Sequence, residues 1–135
     1  MVDPELRKEL ERASSDLVYS SESDRPFEFF AIAYPGRNAS PSPSDFAALI
    51  GAPNDAPVEE RSLVNFFAPH TATSDPYDSE AQKLRPSYEE LMRLLSARLR
   101  DVRVYRIGTI EVECYVAGLD TNGNLAGLKT VAVET

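Results

Sequence analysis

Tryptophan is absent from this 135-residue chain, and histidine and cysteine occur once each, as His70 and Cys114. A single cysteine allows no disulfide within the chain, so the fold has to rely on an apolar core rather than on a covalent framework. A lone histidine offers no cluster for a metal and no indicated partner for acid/base work, and an exposed loop position beside Pro69 is its expected setting. Cys114 alternates with Ile110, Val112 and Val116, as a core thiol would. No apolar run approaches the length of a membrane span, and residues 1–20 lack the continuous apolar stretch of a signal peptide. A soluble, cytoplasmic protein without membrane contact is expected.

Positive charge is also scarce: 14 basic residues face 22 acidic ones, a formal charge of -8. That balance repels phosphate backbones, which argues against direct nucleic-acid binding and favours a cationic or metal-bearing partner. The motifs of common enzymes are missing as well. There is no paired-cysteine metal motif, phosphate-binding glycine loop, nucleophile elbow or histidine-glutamate protease signature. Glu111 and Glu113 share one face of a predicted strand, where solvation explains them better than catalysis. No enzyme and no cofactor are expected.

What is present suffices for one domain spanning residues 1–135, since 42% of the residues are hydrophobic. Asp3 and Pro4 signal a helix start, with Leu6, Leu10 and Ala13 on one face. Ser20 to Pro26 reads as a polar loop. Phe27 to Tyr34, apolar and aromatic except for Glu28, reads as a central strand closed by Pro35-Gly36. Residues 35–57 are proline-rich, with a helical turn from Ser44 to Ile50 ended by Gly51. Ser62 to Phe67 fits helix or strand, with Asn65 and the Phe66-Phe67 pair suggesting a short helical turn, and Ala68 to Glu80 reads as a second exposed loop.

Leu84, Tyr88, Leu91, Leu95 and Leu99 mark the longest helix, with a start or a kink at Pro86. Strand patterns then follow, Val102, Val104 and Ile107 in the first and Ile110 to Val116 in the second. Asp120-Thr121-Asn122-Gly123-Asn124 signals a tight turn into a last strand from about Leu125 to Val133, with Gly127 read as a bulge. The carboxyl-terminal third is thus an antiparallel meander, and only Glu134 and Thr135 follow its last strand.

Three stretches carry a resemblance: Ser21-Glu22-Ser23-Asp24-Arg25-Pro26-Phe27-Glu28, then Val104-Tyr105-Arg106-Ile107-Gly108, and Gly123-Asn124-Leu125-Ala126-Gly127-Leu128 through Val133-Glu134-Thr135. Together they resemble the nuclease A inhibitor family of cyanobacteria over nearly the whole chain, the proline-rich region from 35 to 57 matching poorly. The resemblance implies an α+β fold, a three-layer α/β/α sandwich with a mixed sheet similar to that of pathogenesis-related plant proteins. It implies a monomeric protein that plugs a magnesium-dependent, sugar-non-specific DNA/RNA endonuclease of the ββα-metal class by phosphate mimicry.

The partner-binding positions it carries over are Glu22, Ser23 and Asp24 in a first loop, Asp75, Pro76 and Tyr77 in a second, and Glu134 and Thr135. The chain holds no metal of its own in this reading; Glu22 and the Thr135 carboxylate approach the magnesium of the nuclease. The family pattern has Asp-Trp-Tyr where this chain has Asp75-Pro76-Tyr77, and proline replaces neither the buried area nor the indole donor of tryptophan. Two other readings compete: a regulatory protein-binding module with a different partner, and a hydrolase built on Glu22, Asp75 and Glu111.

Overall fold

The computed structural model describes residues 3–53, 55–71 and 79–134, without the side chains of 80–82. Its first element follows from its cap. Asp3 accepts the Glu5 amide at 2.9 Å, Pro4 fills the first helical position, and α1 runs Pro4–Ser14 with Leu6 and Leu10 buried. Asp3→Ala is expected to cost about 1 kcal/mol of stability, read as a lower urea midpoint, because the amide loses its acceptor.

The polar stretch expected to be a loop is instead a small hairpin. β1 (Val18–Ser20) pairs antiparallel with β2 (Asp24–Pro26), leaving Ser21, Glu22 and Ser23 as the tip. β3 (Glu28–Ala33) follows, then α2 (Pro43–Leu49), capped by Ser42 and beginning with a proline. β4 (Val58–Arg61), with one apolar residue among four, gave no strand signal. α3 (Leu63–Thr71) is longer than the short turn expected and takes in Pro69 and His70.

α4 (Ser79–Arg98) begins seven residues ahead of Pro86, not just before it. Alanine, glutamine, lysine, leucine and arginine in that stretch are strong helix formers, and they carry the helix past the missing amide. β5 (Arg100–Ile107), β6 (Glu111–Leu119) and β7 (Asn124–Val133) then form the expected meander. At the β6–β7 turn Asp120 Oδ1 accepts the amides of Asn122 and Asn124, each at 2.8 Å, and Gly123 takes the left-handed backbone (φ 78°) the turn requires.

The five-stranded sheet has the order β3-β7-β6-β5-β4, and every pairing in it is antiparallel. The mixed sheet expected from the resemblance is therefore corrected. Tight turns force β5, β6 and β7 to alternate direction, and the two flanking strands join opposed to their neighbours. β3 is an edge strand rather than the central one. Its apolar residues are accounted for by cover on both faces: Phe29 and Ala31 pack on the helix-side core, and Phe30 meets Tyr115 edge-on at 5.3 Å.

Two cores lie on opposite faces of this sheet. On one face α1, α3 and α4 contribute Leu6, Leu10, Phe66, Phe67, Leu91 and Leu95 against Val104, Val116 and Leu128. On the other, Phe46 of α2 stacks on Tyr105 at 4.1 Å between ring centroids and packs with Ile107, Ala117, Leu119 and Leu125. The layering is α/β/α, thick on one side and a single short helix on the other.

β6 and β7 pair without interruption from Glu111↔Val133 to Leu119↔Leu125, so Gly127 is not a bulge. The irregularity lies between Arg100 and Arg103, where Asp101 adopts φ 50°. The Asp101 carboxylate accepts the Ser40 amide at 2.8 Å and pairs with Arg103, which tethers the proline-rich segment to the sheet. Those contacts, the Ser40 amide first, hold its carboxyl below the usual aspartate value.

Candidate functional site

The exposed acids of the hairpin tip and the end of β7 lie together. The Glu22 amide donates to the Val133 carbonyl at 3.2 Å, and the Val133 amide donates to Ser21 Oγ at 2.9 Å. Next along the chain, the Glu134 amide donates to the Ile110 carbonyl at 2.8 Å. The last strand is thus bonded on one side to the hairpin and on the other to the turn before β6. Of the expected site residues, Glu22, Ser23, Asp24 and Glu134 are brought into one region; Asp75, Pro76, Tyr77 and Thr135 lie outside the described residues.

The tip is also braced within itself. Ser23 O accepts from the Ser21 amide at 3.2 Å and from Ser21 Oγ at 3.1 Å, and Arg25 Nε donates to Ser23 Oγ at 2.8 Å. Arg25 reaches on toward Glu111, 3.6 Å away. Below the tip, Thr130 Oγ1 of β7 donates to the Pro26 carbonyl at 2.8 Å. Short strands carry few ladder bonds, so these side-chain ties supply the rigidity that three paired residues alone do not.

Glu134 is not simply a surface acid. Its carboxylate pairs with Arg106, whose guanidinium is only 8% exposed and also lies 3.9 Å from Glu59. Arg106 has a legible sequence signal: alternation from Val102 and Val104 places residue 106, not Ile107, on the helix-facing side of β5. Ile107 belongs to the opposite core with Tyr105. Its acidic partner 28 positions away carried no such signal.

His70 departs most from expectation. It is half-buried in the last turn of α3, stacked on Tyr88 at 4.1 Å between ring centroids, and its Nε2 accepts the Ser20 amide at 3.2 Å. Burial holds its pKa below the ordinary 6.5, opposed by the charge of Asp24. The unfolded chain therefore takes up a proton at a higher pH than the folded one. The contribution of His70 to stability is complete above pH 6.5 and is lost as pH falls through that value toward the folded pKa. Urea midpoints measured from pH 7.5 down to 5 are expected to fall in this window, and by less in His70→Gln.

Cys114 is buried, and burial raises its thiol pKa, as expected for an inert core residue. Among the described residues, no group of three or more His, Cys, Asp or Glu side chains is placed to hold a metal. Also among them, no helix is long and apolar enough to cross a membrane. Carboxylates on a braced tip can instead accept hydrogen bonds from cationic groups or meet a hard divalent ion held by another molecule.

Comparison with known families decides which molecules are relevant. The nuclease A inhibitor-like protein family matches residues 4–135. The chain belongs to this family. No curated protein sequence matches it. Membership in the nuclease A inhibitor-like family implies a nuclease inhibitor whose partner is a nuclease, consistent with a chain that is not an enzyme. For a nuclease A inhibitor-like protein, Arg106 and His70 are best understood as internal supports, each holding a segment next to the acidic tip.

Proposed function

We propose that residues 1–135 act as one cytoplasmic, monomeric domain that binds and blocks the active site of a magnesium-dependent, non-specific DNA/RNA endonuclease of the ββα-metal class. Glu22 and the Thr135 carboxylate take the place of substrate phosphate oxygens near the magnesium of the nuclease, with Ser23, Asp24 and Glu134 beside them and Asp75, Pro76 and Tyr77 in a second contact. The observation that carries this reading is the tie between the hairpin tip and the end of β7 through Glu22, Ser21 and Val133. A phosphate mimic needs its anionic groups fixed before docking, because ordering them on contact would subtract from affinity.

The net charge of -8 speeds the approach to a cationic cleft without selecting one. Pro76 at the position of the family tryptophan favours a second reading, a regulatory module of the same fold with a different protein partner. Mixing the chain with magnesium-dependent non-specific nucleases from its own source, and following nucleic-acid digestion, separates the two. Stoichiometric loss of digestion supports the inhibitor; undiminished digestion by every such nuclease leaves only the second reading.

A further inference from the structure

The three residues of β1 are each held by a side chain or a carbonyl of the helical layer. The Tyr88 hydroxyl donates to the Val18 carbonyl at 2.5 Å. The Tyr19 hydroxyl donates to the Phe66 carbonyl at 3.0 Å, its ring stacked on Phe66 at 4.3 Å. Ser20 donates its amide to His70 Nε2 at 3.2 Å. Ser20 is the residue from which the tip departs, and its paired residue across the hairpin is Asp24. The position of Glu22 thus depends on this last contact from one side and on Val133 from the other.

Of the three contacts, only the one to His70 can change with protonation near neutrality. Burial raises the hydroxyl pKa of both Tyr19 and Tyr88 above 10, so both remain neutral donors. His70 accepts at Nε2 only as the neutral imidazole with its proton on Nδ1. A second proton sets an N–H against the Ser20 N–H, and two donors facing each other form no bond. Among the described residues, the titratable groups that face the ring are Tyr19 of β1, edge-on at 5.4 Å, Tyr88 of α4, stacked at 4.1 Å, and Asp24 of β2, whose charge favours the imidazolium. Protonation therefore removes the acceptor that Ser20 uses.

We infer that His70 is the positioning residue for the acidic hairpin: neutral, it fixes Ser20 and with it Glu22, and protonated it releases them and weakens the grip on the nuclease. The inference rests on the inhibitor reading above and adds a proton dependence to it. Burial keeps the neutral form in force at pH 7. Inhibition is thus complete at neutral pH and declines on acidification.

The test uses the full chain, H70Q and H70A against one nuclease that the unaltered chain inhibits, between pH 7.5 and 5.5 at constant salt. Glutamine reaches with an amide oxygen that accepts but does not titrate. H70Q is expected to recover most of the neutral-pH affinity that H70A loses. At pH 5.5 the unaltered chain should have lost about fivefold more affinity than H70Q, the scale of one net hydrogen bond. Comparison against the same nuclease cancels the titration of the nuclease itself. In the isolated chain, the NMR shift of the Ser20 amide should follow the His70 titration.

Parallel pH profiles for the unaltered chain and H70Q would overturn the inference, as would a Ser20 amide indifferent to the imidazole. A Ser20 amide that follows His70, with no nuclease inhibited at any pH, would sink the inhibitor reading and the proton-dependent grip together, leaving the His70–Ser20 contact standing.

Discussion

Alanine at Gly127 is expected to lower stability by about 3 kcal/mol or more, because no side chain can yield to make room for it. A Cβ built at Gly127 comes 1.8 Å from the Val116 carbonyl oxygen and 2.9 Å from its carbon, both backbone atoms of the neighbouring strand. Gly127 lies between Ala126 and Leu128, both fully buried, and pairs with Ala117 in the middle of the β6–β7 ladder. Relief therefore requires β6 and β7 to separate, which loosens the cores on both faces of the sheet. Domains have only about 5–15 kcal/mol in total, so G127A should show a much lower urea midpoint or arrive unfolded. A midpoint within error of the unaltered chain would refute the close approach.

On the proposed inhibitor reading, removing the Glu22 carboxylate or drawing the terminal carboxylate back by one residue should weaken nuclease binding by about 2 kcal/mol, roughly 30-fold, the scale for truncating a buried charged contact. The variants are Glu22→Ala and a chain ending at Glu134. Neither should unfold the protein. Glu22 is exposed at the tip, and its structural bond to Val133 is made by its backbone amide, which alanine keeps. Glu5→Gln, in the first turn of α1, removes one negative charge as Glu22→Ala does and isolates position from net charge. It should leave the inhibition constant almost unchanged. Equal weakening by Glu5→Gln and Glu22→Ala would mean that overall charge acts, not the tip.

The parts of the fold legible in the sequence were those written in adjacent residues. Asp3-Pro4 starts α1, the apolar spacing from Tyr88 to Leu95 draws the buried face of α4, and Asp120 to Asn124 makes the last turn. Each signal is complete within a few residues, so distant partners change little. The features missed depend on partners far along the chain. β1 and β2 are too short to show a period, and they hold because Tyr88, His70 and Thr130 reach them from as much as 105 positions away. β4 carries Glu59 and Glu60 in its middle and is a strand only because β5 offers it an edge. β3 read as central because both of its faces are apolar, yet cover by helices and by Tyr115 produces the same pattern at an edge.

The candidate site divides the same way. That β7 runs to Val133 was legible from alternation, and that Glu22 belongs beside it came from the resemblance, not from any local pattern. The supports were legible only in part: alternation from Val102 and Val104 gives the face of Arg106, but not the partners of either residue. His70 next to Pro69 looks like a loop residue until α3 is seen to continue through both, and the charge of Arg106 has no visible counterpart on its buried face until Glu134 is folded back over it.

The place of β7 in the sheet also governs the order in which the molecule can be made. β7 lies between β6 and β3, and its partner β3 leaves the ribosome roughly a hundred residues earlier, as the pairing of Glu28 with Lys129 requires. During synthesis the phenylalanines of β3 wait without their strand partner until β7 is made. The hairpin bearing Glu22 waits too, since Thr130 and Val133 are among its ties. A nascent chain therefore has no assembled acidic tip until β7 has emerged, and the surface proposed to meet a nuclease is finished in the same step that closes the sheet.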